Sequence, residues 1–171
     1  MLAALVSIAT QQASPTANTM RKIKQLLNYA ATHPDASVTY RSSNMVLAVH
    51  SDASYLSETK SQIRAGGHFF MASNIAIPEN NGAVHTVAQI IKTVMSSAEE
   101  AKLGAIYINC REAILARLLF EAMVHRQPPT PMQTNNSTTL GVVTNKIQPK
   151  RTKAMDMRFY WLRCRANQRQ F

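Results

Sequence analysis

A chain of 171 residues and 19.0 kDa with 46% hydrophobic residues can fill one domain around one core, which excludes a wholly disordered protein. The 19 Lys and Arg against 9 Asp and Glu leave a net charge of +10, a balance that speaks to polyanionic partners, nucleic acid first, and not to fold. Cys110 and Cys164 have neither the C-x2-C spacing of a zinc site nor the density of a disulfide scaffold, so both are expected as reduced thiols of an intracellular protein.

The apolar start from Met1 to Ala9 lacks a basic leading segment and is far shorter than the roughly 20 residues of a membrane-spanning helix, so neither secretion nor membrane insertion is expected. After Ser14-Pro15, Met20, Ile23, Leu26, Leu27 and Ala30 recur at helical steps and Pro34 closes the segment, which predicts an amphipathic helix over 16–32. Val38-Thr39-Tyr40 predicts a short strand. The β-prone run from Met45 to His50 predicts a central strand ending at Ser51-Asp52. Arg64 to Ala72 and Ala83 to Ile91 predict two antiparallel strands joined by a loop of about ten residues around Pro78-Glu79-Asn80-Asn81-Gly82.

Ser96-Ser97-Ala98-Glu99 has the form of a helix cap. Leu103, Ile106, Ile114, Leu118 and Ala122 then predict a long helix, ended by Pro128-Pro129. A short strand over Pro131–Thr134, a short helix over Ser137–Val143 and a last helix over Lys153–Arg165 complete the order. The expected class is α/β, a mixed sheet with helices packed on it.

Charge concentrates at the end of the chain. From Lys146 to Phe171, eight cations (Lys146, Lys150, Arg151, Lys153, Arg158, Arg163, Arg165, Arg169) face Asp156 alone and give +7. Phe159, Tyr160, Trp161 and Phe171 lie among them. Such interleaving suits a nucleic-acid strand, with phosphates on the cations and ring faces open to bases. It equally suits an amphipathic helix with Met155, Phe159 and Leu162 inward and solvated arginines.

Other features point to structure. His33, His50, His68, His85 and His125 lack metal-ligand spacing, although His50 and His68 can face each other on neighbouring strands. Gly66-Gly67 lacks the third glycine of a phosphate-binding fingerprint and opens no helix. Cys110 reads as a buried, inert thiol and the methionines as core filler. The N-x-[ST] triplets at Asn135 and Asn136 matter only in a secreted protein.

Five runs occur in one order: His50-Ser51-Asp52-Ala53-Ser54-Tyr55, Ala65-Gly66-Gly67-His68-Phe69-Phe70, Ser96-Ser97-Ala98-Glu99-Glu100-Ala101-Lys102-Leu103, Gln133-Thr134-Asn135-Asn136-Ser137 and Thr152-Lys153-Ala154-Met155-Asp156-Met157-Arg158-Phe159. Together, over about 45–165, they resemble the ribonuclease H domain of copia-type retrotransposon polyproteins. Residues 1–44, with Gln11-Gln12-Ala13-Ser14-Pro15-Thr16 and Thr39-Tyr40, resemble the end of the reverse transcriptase connection that precedes it, and 45–171 the nuclease domain with its basic helix 153–165. The resemblance implies a ribonuclease H-like five-stranded mixed sheet whose first three strands are antiparallel. It implies hydrolysis of the RNA strand of RNA–DNA hybrids through two Mg2+ ions about 4 Å apart, held by converging carboxylates.

Residue by residue, Asp52 matches the first carboxylate position. The second falls on Lys102, where the family pattern has Glu, and the third on Asn135, where it has Asp. The fourth lies beyond the helix containing Asp156, so the resemblance implies a C-terminally truncated domain. Glu99, one turn from Lys102, is about 4.5 Å too far along the helix to substitute and reads as a first-turn acid. The resemblance thus implies a degenerate enzyme that holds Mg2+ poorly, in which Lys102 pairs with Asp52. Nucleic-acid binding is then expected to rest on Lys150, Arg151, Lys153, Arg158, Arg163 and Arg165. An active Mg2+-dependent hybrid ribonuclease and a non-functional relic of a decayed element are the alternatives.

Overall fold

In the computed structural model, which describes residues 2–56, 62–75, 77–135, 141 and 156–171, the chain divides into two units, Met1–Thr39 and Tyr40–Phe171. The first unit is a helical pair, α1 (Leu2–Ala9) and α2 (Ala17–Thr32). Helix α1 occupies the apolar start, for which no helix was expected. Thr16 caps α2 reciprocally: its hydroxyl accepts from Thr19 N at 3.2 Å, while its own N–H donates to Thr19 Oγ1 at 3.0 Å. The Thr19 hydroxyl also donates to Gln11 Oε1 at 2.6 Å, which ties the linker between the helices to α2. The helix stops before Pro34 as expected, with the His33 ring stacked on Tyr29.

No strand forms at Val38-Thr39-Tyr40. Val38 and Tyr40 are exposed, and local β propensity alone does not make a ladder. Tyr40 instead belongs to the second unit, where its hydroxyl donates to Ala83 O and its ring lies over Gly82. Arg41 N donates to Asn81 Oδ1 at 2.8 Å, so the approach to the sheet is fastened to the loop between the second and third strands.

The second unit is an α/β fold. Strands β1 (Val46–Ser54), β2 (Ile63–Ala72), β3 (Ala83–Ile91) and β4 (Met132–Gln133) form a mixed sheet in the order β3-β2-β1-β4. The first three are antiparallel, and β4 runs parallel to β1. Strand β1 does not end at Ser51-Asp52, because β2 keeps pairing with it: Asp52 lies opposite Gly66 and Ser54 opposite Arg64. The fifth strand that the resemblance implies is not among the described residues. The helix expected over 137–143 falls, apart from Gly141, outside them as well.

Helix α3 (Ala98–Ala122) starts at Ser97, whose side chain accepts from Glu100 N, and Glu100 Oε2 in turn accepts from Ser96 N at 2.7 Å. It ends well before Pro128: Val124 takes φ 64°, a left-handed turn that breaks the helical ladder. Its inner face, Leu103, Ile106, Cys110 and Ala113, packs on one face of the sheet with Leu47, Val49, Ala65 and Phe69. Burial pushes the Cys110 thiol up, away from the reactive thiolate. Helix α4 (Asp156–Asn167) turns Phe159 and Leu162 into the same core. Residues 153–155 of the expected helix lie outside the described residues. Among the described residues no helix is long and apolar enough to cross a membrane.

The paired glycines have a packing role. An added Cβ on Gly67 would come within 2.3 Å of Asn109 Oδ1 and 2.9 Å of the Phe69 ring, whereas on Gly66 its nearest neighbour is Asp52 O at 3.7 Å. Asn109 is fully buried on α3, and its amide N–H groups donate to Ser51 Oγ and Gly66 O, both at 2.8 Å. Gly67→Ala is therefore expected to destabilise by about 1–3 kcal/mol, as overpacking does. Gly66→Ala should stay within about 0.5 kcal/mol of the parent. Urea unfolding of the two variants side by side checks the contrast.

Candidate functional site

The end of β1, the first turns of α3 and the residue pair after β4 meet at one edge of the sheet. Asp52 stands on β1, Lys102 on α3, and Asn135 just past β4. The parallel register pairs Val49 with Met132 and His50 with Gln133, and the same offset continued brings Asn135 level with Asp52. Lys102 Nζ donates to Asn135 Oδ1 at 2.7 Å and lies 3.9 Å from Asp52 Oδ1. Three positions distant in sequence are thus brought together around one ammonium. The Lys102 side chain is 22% exposed and that of Asp52 64%. So open an ion pair contributes little, on the order of 0–1 kcal/mol.

Two fixings place β4, one of them buried. Arg117 is 8% exposed and donates to Thr130 Oγ1 at 3.0 Å, to Gln127 O at 3.0 Å and to Pro128 O. Burial lowers its pKa from the usual guanidinium value, and Glu121 at 3.7 Å partly opposes that shift. Gln127 acts as a piece of strand: its Oε1 accepts from Leu47 N and its Nε2 donates to Met45 O. Behind them Thr130 N donates to Gln170 O, and Phe171 packs against both halves of the core. The segment from Gln127 to Asn135 is thereby held against β1 although β4 itself has only two residues.

A divalent hard cation does not fit this donor set. Asp52 and Lys102 cancel and Asn135 is neutral, whereas Mg2+ takes several hard oxygen donors and favours carboxylates. The ammonium lies beside both oxygens that could act as donors. At about 4 Å and an effective dielectric near 20, a unit charge repels a divalent ion by roughly 8 kcal/mol. Lys102 instead supplies the positive charge itself, bridging the amide oxygen and the carboxylate. Glu99 is exposed on the first turn of α3, a position the helix dipole favours.

The cations named from sequence divide. Lys150, Arg151 and Lys153 lie outside the described residues. Arg163 lies over the Phe159 ring at 5.2 Å and Arg165 over Trp161 at 5.3 Å. Arg158 lies over Tyr107 of α3 at 5.5 Å and donates to Thr93 Oγ1 at 2.7 Å. The rings of α4 therefore carry guanidiniums as well as packing into the core, so neither open stacking platforms nor merely solvated arginines describes the helix. Arg111, which the tail's charge count could not reveal, lies over Tyr107 at 5.9 Å. Asn109 and Arg117 were equally hidden, and their signal was polar side chains at positions of α3 that its helical period assigns to the core.

His50 and His68 do face each other, opposite in the β1–β2 register with ring centroids 6.0 Å apart. Both flank Phe70, and His68 Nε2 lies 3.1 Å from Asn81 O. No protein-family model, curated protein or solved structure significantly matches this chain.

Burial, and then the neighbouring His68, hold the His50 pKa below the ordinary imidazole value. The folded protein resists a proton that the unfolded chain accepts. Stability is therefore full above the unfolded pKa of about 6.5 and falls as pH drops through it, levelling off below the folded pKa. Urea midpoints at pH 8, 6.5 and 5 should decline, and His50→Gln should flatten part of that decline. A separate expectation concerns β4: Arg117→Met leaves one buried acceptor, Thr130 Oγ1, and two part-buried carbonyls without this donor and should cost about 1–3 kcal/mol in urea unfolding.

Proposed function

We propose that this chain is a ribonuclease H-like domain of copia-type descent that has lost metal-dependent hydrolysis and retains nucleic-acid binding through its basic C-terminal helix. The observation that carries the reading is the convergence of Asp52, Lys102 and Asn135 around one ammonium. These are the three positions that the sequence resemblance marks for metal-binding carboxylates. Three antiparallel strands followed by a parallel one, with a long helix packed across them, accord with it. In that setting Lys102 replaces an attraction for Mg2+ by a contact within the protein.

Binding then depends on cations and is salt-sensitive, because each phosphate neutralised releases counterions. The chemistry has no counterpart: a carboxylate paired to an ammonium and an amide cannot hold two divalent ions beside a scissile phosphate.

Incubation with a labelled RNA–DNA hybrid in Mg2+ or Mn2+ is expected to leave it intact. Cleavage that Asp52→Asn abolishes would overturn the reading. Lys102→Glu combined with Asn135→Asp sets three carboxylates where one now stands. Mg2+ at about a hundred times its Kd should then raise Tm by about 5–10 °C, while the parent does not respond.

A further inference from the structure

We infer that the seam between α3 and α4 is a phosphate-binding surface for a nucleic-acid backbone, built on Arg111 and Arg165 and separate from the Asp52 cluster. The inference rests on the nucleic-acid reading above and gives it a location and a mode.

The Tyr107 and Trp161 rings meet edge to face across the seam, with centroids 5.2 Å apart and planes at 73°. Each carries a guanidinium from one turn further along its own helix, Arg111 at 5.9 Å and Arg165 at 5.3 Å. Arg158 adds a third, anchored by Thr93. A ring beneath a guanidinium takes up one face and leaves the N–H edge pointing outward, the edge that grips phosphate oxygens in pairs. Stacking also fixes the side chain beforehand, so less rotamer freedom is lost on binding.

Charge complementarity selects the occupant. Among the described residues neither Arg111 nor Arg165 is paired with a carboxylate. Besides the Trp161 ring, Arg165 donates to the Gln168 amide oxygen at 3.2 Å. With cations on the ring faces, bases have no platform there, so the phosphodiester is what the seam can recognise and sequence is not read.

The seam is also not the cleft around Asp52. Arg111 follows Lys102 by nine residues on the same helix, which is about half a turn around it and roughly 13 Å along it. A strand lying on the seam therefore runs along the opposite side of α3 from Lys102.

The full chain, titrated into a fluorescently labelled 20-base-pair DNA duplex at several KCl concentrations, tests this. Arg111→Gln with Arg165→Gln should weaken binding at least tenfold at low salt and reduce the log–log salt slope by about 1.8, or about 0.9 for each phosphate no longer neutralised. Arg111→Lys with Arg165→Lys keeps the charge and should restore most of the slope, which separates a charge effect from misfolding. Arg21→Gln with Lys22→Gln removes equal charge from α2 and should change affinity less than twofold. Trp161, the only tryptophan in the chain, should change its emission on binding. An abasic single strand should bind as well as a normal one of equal length. If the parent binds but the Arg111/Arg165 pair can be removed without effect on the slope, the seam is wrong while binding through other cations stands. No duplex binding at low salt, with or without retention on anionic phospholipid vesicles, overturns the nucleic-acid reading along with it.

Discussion

Where α3 sits on the sheet is set by a single buried amide. Asn109 reaches between Ser51 of β1 and Gly66 of β2, and it can do so only because Gly67 has no side chain to occupy the same space. The helix is drawn close by the small residues Ala105 and Ala113, one turn either side of the amide, and the amide fixes its position lengthwise. Two turns back along the helix, that position decides where Lys102 falls relative to Asp52. One oxygen of the amide stays unpaired in the interior, which restricts what can replace it: an apolar residue removes the orphan but also the two bonds that set the register.

The chain's basic excess has two structural meanings. Around Asp52 a cation is engaged by an amide and lies 3.9 Å from a carboxylate, so much of its charge is met within the protein. Along the α3–α4 seam Arg111 and Arg165 lie over aromatic rings and, among the described residues, are met by no carboxylate. Net charge alone cannot distinguish the two, since each lysine or arginine counts once whatever it faces.

Helical periodicity and β-prone runs located α2, β2, β3 and α3 closely, in α3 because Leu103, Ile106 and Cys110 face the core, and in α2 and β3 although these bury little beyond Thr19 and Ile91. Val38-Thr39-Tyr40 misled because propensity is local while a strand needs a neighbour, and Tyr40 found a glycine instead. The same limit hid the fastening of β4. Gln127 serves Leu47 from 80 residues away, and nothing near either residue announces the other. The three residues at the site were identifiable individually from resemblance, but that Lys102 prefers the amide of Asn135 to the carboxylate of Asp52 is a matter of angles and reach. Arg111 escaped notice for a similar reason: its partner ring and the helix that completes the seam lie on different stretches of chain.

The shortness of β4 also orders events in folding. Strands β1, β2 and β3 join through neighbouring hairpins, and α3 follows directly, so their contacts close short loops. The β1–β4 pairing closes a far longer loop and gains only two residues of ladder. Such a contact comes late, after the sheet and α3 already present Asp52 and Lys102 to one another. Asn135 is thus a late partner: Lys102 comes near Asp52 once α3 packs on β1, and the amide completes the cluster only when β4 docks.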